Sequence, residues 1–231
     1  QHKYALMSFP LIPRYAVLDA ALTYSLPPHL TATTGIDALT HATEAYIGRS
    51  TTKETRRLAL EAAKLIFENI ENAYNDGYNR IARENMLFAA YKAGIAFSKS
   101  YVGYIHAVAH SLGGTYGTPH GLANAVIMPY VLEVYGKSAY KKLHEIGIAV
   151  GVSDKNDSHE VGAKKFIKAV RNLNKRIGIP DKLTGIKKSD IPQMARNAEA
   201  EANPLYPVPK LMTRKELEKF YYIIADWSDE K

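Results

Sequence analysis

The residues best suited to chemistry are one aspartate and four histidines, set in two stretches. Gly35-Ile-Asp37-Ala-Leu-Thr-His41-Ala-Thr-Glu44 places Asp37 and His41 four residues apart. On a helix those two side chains point the same way, one turn above the other. His106-Ala-Val-Ala-His110-Ser-Leu-Gly-Gly-Thr-Tyr-Gly-Thr-Pro-His120 carries three of the chain's eight histidines. The chain has no cysteine, so a carboxylate and several neutral imidazoles are the donors on offer. That set suits a divalent metal such as iron or zinc. His106 and His110 are also four apart, so either could ligate with the other as its neighbour.

Each residue alone has a plainer use. With Thr34 as N-cap, Asp37 would stand at the third helical position, where a carboxylate closes a capping box. His41 could be a hydrogen-bonded, partly buried histidine, and His120 could simply open a helix. Glu44, on the stripe of Asp37 and His41, could accept from a ligating imidazole or stand in solvent. The metal reading rests on the conjunction of an acid and four histidines on elements able to face one cleft.

The elements that must position them are helices. A helix starting near Thr34 puts Ile36, Leu39, Thr43 and Ile47 on a stripe for the core, beside the stripe of Asp37, His41 and Glu44. Two longer helices are expected over 54–75 and 79–98, with alanine-rich faces that allow close packing. Gly77 between them implies antiparallel neighbours. Residues 104–112 read as helical, and the glycines at 113, 114 and 117 as the end of that helix. Thr118 as N-cap and Pro119 at the first position restart a helix to about Val134. Further helices are expected over 139–150, 158–176, 189–200 and 215–226. The last is led by the capping box Thr213-Arg-Lys-Glu216. Residues 1–19 are not helical in pattern, with Tyr15-Ala-Val-Leu18 as a strand candidate, and 22–29 read as a turn closed by Pro27-Pro28. The class is all-α: a multi-helix, bundle-like domain with a short extended N-terminal segment.

At 231 residues the chain can bury a large core, and 46% hydrophobic with 23% charged residues is the balance of a globular protein. The lack of cysteine suits a reducing compartment, so a cytoplasmic location is expected. No apolar run approaches the ~20 residues that span a bilayer, so no membrane partner is expected. The net charge is +7, with a dense patch at Lys164, Lys165, Lys168, Arg171, Lys175 and Arg176. No nucleic-acid reading motif accompanies it, so a solvated helix face is the preferred account and a basic helical nucleic-acid binder the alternative.

The motifs Gly35-Ile-Asp37-Ala-Leu-Thr-His41-Ala-Thr-Glu44-Ala-Tyr46, Gly103-Tyr-Ile-His106-Ala-Val-Ala-His110-Ser-Leu-Gly113 and Pro119-His120-Gly121-Leu-Ala-Asn124 closely resemble those of the iron-containing (group III) alcohol dehydrogenases. The resemblance implies the C-terminal, dehydroquinate synthase-like helical domain of that family. It further implies that Asp37, His41, His106 and His120 ligate Fe2+ or Zn2+, and that His110 lies near the nicotinamide in a proton relay. The segment from Leu22 to Leu26 would then face the cofactor NAD(P), and the substrates would be primary alcohols and aldehydes. The family's glycine-rich pyrophosphate turn has no counterpart here: Gly113-Gly114-Thr-Tyr-Gly117 lacks both the preceding strand and the fingerprint spacing. The expectation is therefore a metal-binding domain over 20–231, with 1–19 as the exit of a nucleotide-binding domain absent from the chain. Metal binding without appreciable activity alone follows. Uncovered apolar surface could also drive homo-oligomerisation. Competing readings are a related enzyme of the superfamily, such as a glycerol dehydrogenase or a dehydroquinate synthase-like lyase, and a non-catalytic metal-structured helical interaction module.

Overall fold

The computed structural model describes residues 14–228. Among them the secondary structure is helical, with one isolated parallel bridge between Leu183 and Ala225. The helices are α1 (Pro28–Ile47), α2 (Lys53–Asn75), α3 (Arg80–Ser100), α4 (Tyr104–Tyr116), α5 (His120–Tyr135), α6 (Tyr140–Ala149), α7 (His159–Arg176), α8 (Ile191–Ala202) and α9 (Arg214–Ile224). The all-α expectation holds. The strand candidate does not: Tyr15, Ala16 and Val17 are exposed, Leu18 is half-buried, and the segment has no strand to pair with among the described residues, and an unpaired strand leaves its backbone groups to water. Pro10 and Pro13 lie outside the described residues.

Helix α1 is the axis of the molecule. It packs against α2, α3 and α5 and is buried on most of its circumference, including Ile36, Leu39, Ala42, Ala45 and Tyr46. Its small residues allow that enclosure: Ala32, Gly35, Ala38, Ala42 and Ala45 let neighbouring axes close in. Helices α2 and α3 lie against each other along the faces of Ala59, Ala62, Ala63, Ile66, Ala89 and Ala93. Helix α4 sits between α5 and α8, while α6 pairs with α7 and α8 with α9.

Helix α1 starts six residues earlier than the sequence pattern suggests. Pro28 takes the first helical position, where its missing N–H costs nothing. Thr33 and Thr34 turn their hydroxyls back to the carbonyls of His29 and Leu30, so Thr34 is an interior residue and not a cap. Asp37 is consequently mid-helix and is not engaged in capping. Helix α4 likewise runs through Gly113 and Gly114. Each glycine costs about 1 kcal/mol, but Tyr104, Ile105, Val108 and Leu112 are fully buried around the same helix, and that burial outweighs the cost. The helix ends at Gly117, whose φ of 68° is left-handed. Pro119 is the cap of α5 and His120 its first residue, one step later than expected.

The capping box of α9 is present as read, Thr213 and Glu216 each closing on the other's backbone. The basic patch on α7 is largely paired: Lys164 with Glu160, Lys165 with Asp157, Arg171 with Glu133 and Arg176 with Glu71. Those partners offset part of the patch's positive charge. No helix among the described residues is long and apolar enough to cross a membrane. On α3, Ile81, Phe88 and Tyr91 are exposed.

Candidate metal centre

Three helices meet at one point. Helix α1 supplies Asp37 and His41, α4 supplies His106 and α5 supplies His120. One ligand atom from each of the four lies within 4.8 Å of every other. Asp37 Oδ1 is 3.4 Å from His120 Nε2 and 3.7 Å from His106 Nε2. The His41 ring stacks on His106 with centroids 4.4 Å apart and on Phe97 at 4.1 Å. Four donors of these types, this close and drawn from both sequence stretches, match the demands of a divalent ion.

The approach of α1 to α5 depends on a glycine. A Cβ at Gly121 would lie 2.5 Å from the Thr33 carbonyl oxygen, so only glycine lets His120 come down beside Asp37.

Electrostatics prepare the donors. Burial, reinforced by the neighbouring His106, lowers the His41 pKa to about 4, so its imidazole is neutral at neutral pH and has a lone pair to give. Behind His106 lies Glu44, wholly buried. It accepts from the backbone N–H of Gly103 at 2.8 Å and of Ile105 at 2.9 Å, and meets His106 Nδ1 at 2.6 Å. Burial raises its pKa to about 7, against the pull of those backbone N–H groups. The contact assigns the proton-bearing role in His106 to Nδ1 and turns Nε2 toward Asp37. Glu44 is thus the buried acceptor and not a solvated surface residue. Asn124, fully buried on α5, donates to Asp37 Oδ1 at 2.6 Å and holds that carboxylate in place.

His110 borders this cluster. It stacks on His120 with centroids 5.1 Å apart and 19° between planes, and its Nδ1 is 2.7 Å from Glu201 Oε1. Leu22 and Leu26 lie ahead of α1. Leu22 is 81% exposed on the 3-10 turn Ala20–Thr23, which packs on α3, and the Leu26 carbonyl accepts from Arg83. Sequence reading passed over Glu201 and Tyr206 and met Asn124 only as a motif letter. The signal for Asn124 is its spacing, four residues beyond His120 on one helix face. For Glu201 it is a carboxylate next to the buried Ala202, at the edge of an apolar stripe.

Residues 31–224 match the family described as Fe-containing alcohol dehydrogenase family, C-terminal. The chain is 40% identical over 203 residues to 1,3-propanediol dehydrogenase of Klebsiella pneumoniae, covering 87% of this chain and 52% of that protein. It is 40% identical over 204 residues to alcohol dehydrogenase 4 of Saccharomyces cerevisiae (strain YJM789), again covering 87% and 52%. A crystal structure of 1,3-propanediol oxidoreductase superposes with a TM-score of 0.84 at 38% identity, covering 88% of this chain and 54% of that one. The chain therefore spans about half the length of the relatives it matches.

Proposed function

We propose, given that this chain belongs to the iron-containing alcohol dehydrogenase family, that it forms the metal-holding half of an NAD(P)-dependent enzyme interconverting primary alcohols and aldehydes. The observation that carries this reading is the convergence of Asp37, His41, His106 and His120 within 4.8 Å. Residues 20–231 are then the metal-binding domain, and 1–19 the segment joining it to a nucleotide-binding domain that corresponds to the relatives' remaining length.

In this reading Asp37, His41, His106 and His120 would hold Fe2+ or Zn2+, which would supply Lewis acidity toward an alcohol or aldehyde oxygen, and NAD(P) would supply the hydride chemistry. The chain's own residues do the rest. Asp37 contributes one negative charge and the imidazoles none, so a divalent site keeps net positive charge. Asn124 fixes the Asp37 carboxylate, and Glu44 fixes the His106 ring. Phe97, stacked on His41, keeps water from that side of the donors. His110, against His120, moves a proton at the mouth of the site, and Leu22 and Leu26 face the cofactor.

The test is metal analysis and turnover on the purified chain. About one equivalent of iron or zinc per chain is expected, retained by wild type and lost in His106→Ala and Asp37→Ala. With NAD(P) and short primary alcohols the chain alone is expected to be inactive. A wild-type chain that takes up neither metal would overturn the metal centre, and robust turnover without a second domain would overturn the division of labour.

A further inference from the structure

His110 is held from behind. Its Nδ1 lies 2.7 Å from Glu201 Oε1, and the same oxygen accepts the Tyr206 hydroxyl at 2.7 Å. Glu201 is near the end of α8, and its side chain is largely buried, as is that of Tyr206. The loop that follows is pinned: the Tyr206 N–H donates to the Ala202 carbonyl at 2.8 Å. The Tyr104 hydroxyl donates to Asn203 Oδ1 at 2.5 Å, and Asn203 Nδ2 donates to the Met212 carbonyl at 3.0 Å. Glu201 and Tyr206 are therefore built into the scaffold and cannot follow His110 if its ring turns.

A carboxylate only accepts, and a neutral imidazole has one N–H and one bare nitrogen. With Tyr206 as one donor to Oε1, His110 must be the other, through Nδ1–H. We propose that Glu201, braced by Tyr206, is the positioning residue that fixes His110 in the Nδ1–H form and leaves Nε2 as the acceptor beside the metal donors. The chemical use of that acceptor rests on the proposed function; the tautomer itself rests on geometry alone. A ring stacked on His120 and fixed in this form presents a nitrogen ready to receive a proton from a substrate or water, with no rotation needed first. Without Glu201 the ring would be free to place its proton on Nε2 and could no longer accept there.

The test is a long-range 1H–15N correlation of the imidazole nitrogens in 15N-labelled chain at pH 8, run metal-free and zinc-loaded. The His110 signals are identified by their loss in His110→Gln. In wild type the Nδ1–H form is expected to exceed the Nε2–H form by more than about tenfold, as a charge-assisted hydrogen bond implies. In Glu201→Leu that ratio is expected to fall to about parity or below. Glu201→Ser asks the same question if the leucine variant does not fold. Predominance of the Nε2–H form in wild type, or an unchanged ratio in a folded Glu201 variant, would overturn the proposal. Failure to take up zinc would count against the metal centre only, because the metal-free spectra still report the tautomer.

Discussion

Glu44 is a single acid that satisfies three donors at once, two backbone N–H groups and the His106 ring. Glutamine there would turn an amide N–H toward other N–H groups, a clash no rotamer removes. Glu44→Gln is therefore expected to weaken zinc binding by about 10–100-fold, read by competition with a chromophoric chelator; an affinity within twofold of wild type would refute the role. At this scale the sequence was readable where spacing alone decides. Asp37 and His41 one turn apart, and the fall of His106 and His120 on separate elements, follow from helical geometry. What spacing could not decide was which of Glu44's two roles it takes, because burial depends on helices that arrive from residues far along the chain. The carboxylate of Glu201 could stand out only as an acid at the edge of an apolar stripe, and its partner could not be named because His110 is 91 positions away.

Among the elements, the seam between α1 and α5 is the tightest constraint on the site. Gly121→Ala would force the Thr33 backbone away by part of an ångström, since a 2.5 Å approach cannot persist. A loss of about 1–3 kcal/mol in denaturant unfolding is expected, together with weaker metal retention because His120 moves with α5. A change in stability with metal binding intact would show that the seam does not set the donor spacing. The α9 capping box permits a cleaner test, remote from the donors. Thr213→Ala is expected to cost about 1 kcal/mol. The Thr213 N–H, with help from Lys210, holds the Glu216 carboxyl below its ordinary pKa. A carboxyl depressed in the fold adds stability above its unfolded pKa and loses it as pH falls through the folded value. Glu216→Gln is thus expected to flatten the acid limb of the stability curve, and an identical acid limb would refute the assignment. Helix existence was legible from periodicity and caps, the Thr213 box above all. The errors cluster at ends where local rules compete with packing: Gly113 and Gly114 look like a stop until the buried neighbours of α4 are counted.

Across the whole molecule, the four donors join three helices, so an ion bound to the folded chain alone must stabilise it. At a free zinc concentration about 100 times Kd the gain is about 2.7 kcal/mol. The melting temperature is expected to rise with zinc in wild type and to stay flat in Asp37→Ala; a rise in both would place the ion elsewhere. The conjunction of an acid and four histidines suggested a shared cleft, and the likeness to a family singled out which four donors meet there. Periodicity says that α1, α4 and α5 each have a face to bury, not that those faces meet. The basic patch shows the converse: its neutralising carboxylates, Glu71 and Glu133, lie on other helices and are not evident from the run of lysines. One consequence of α1 being enclosed on nearly every side concerns its clock. The amides near Asp37 and His41 are hydrogen-bonded within a largely buried helix, so their deuterium uptake is expected to approach the rate of global unfolding.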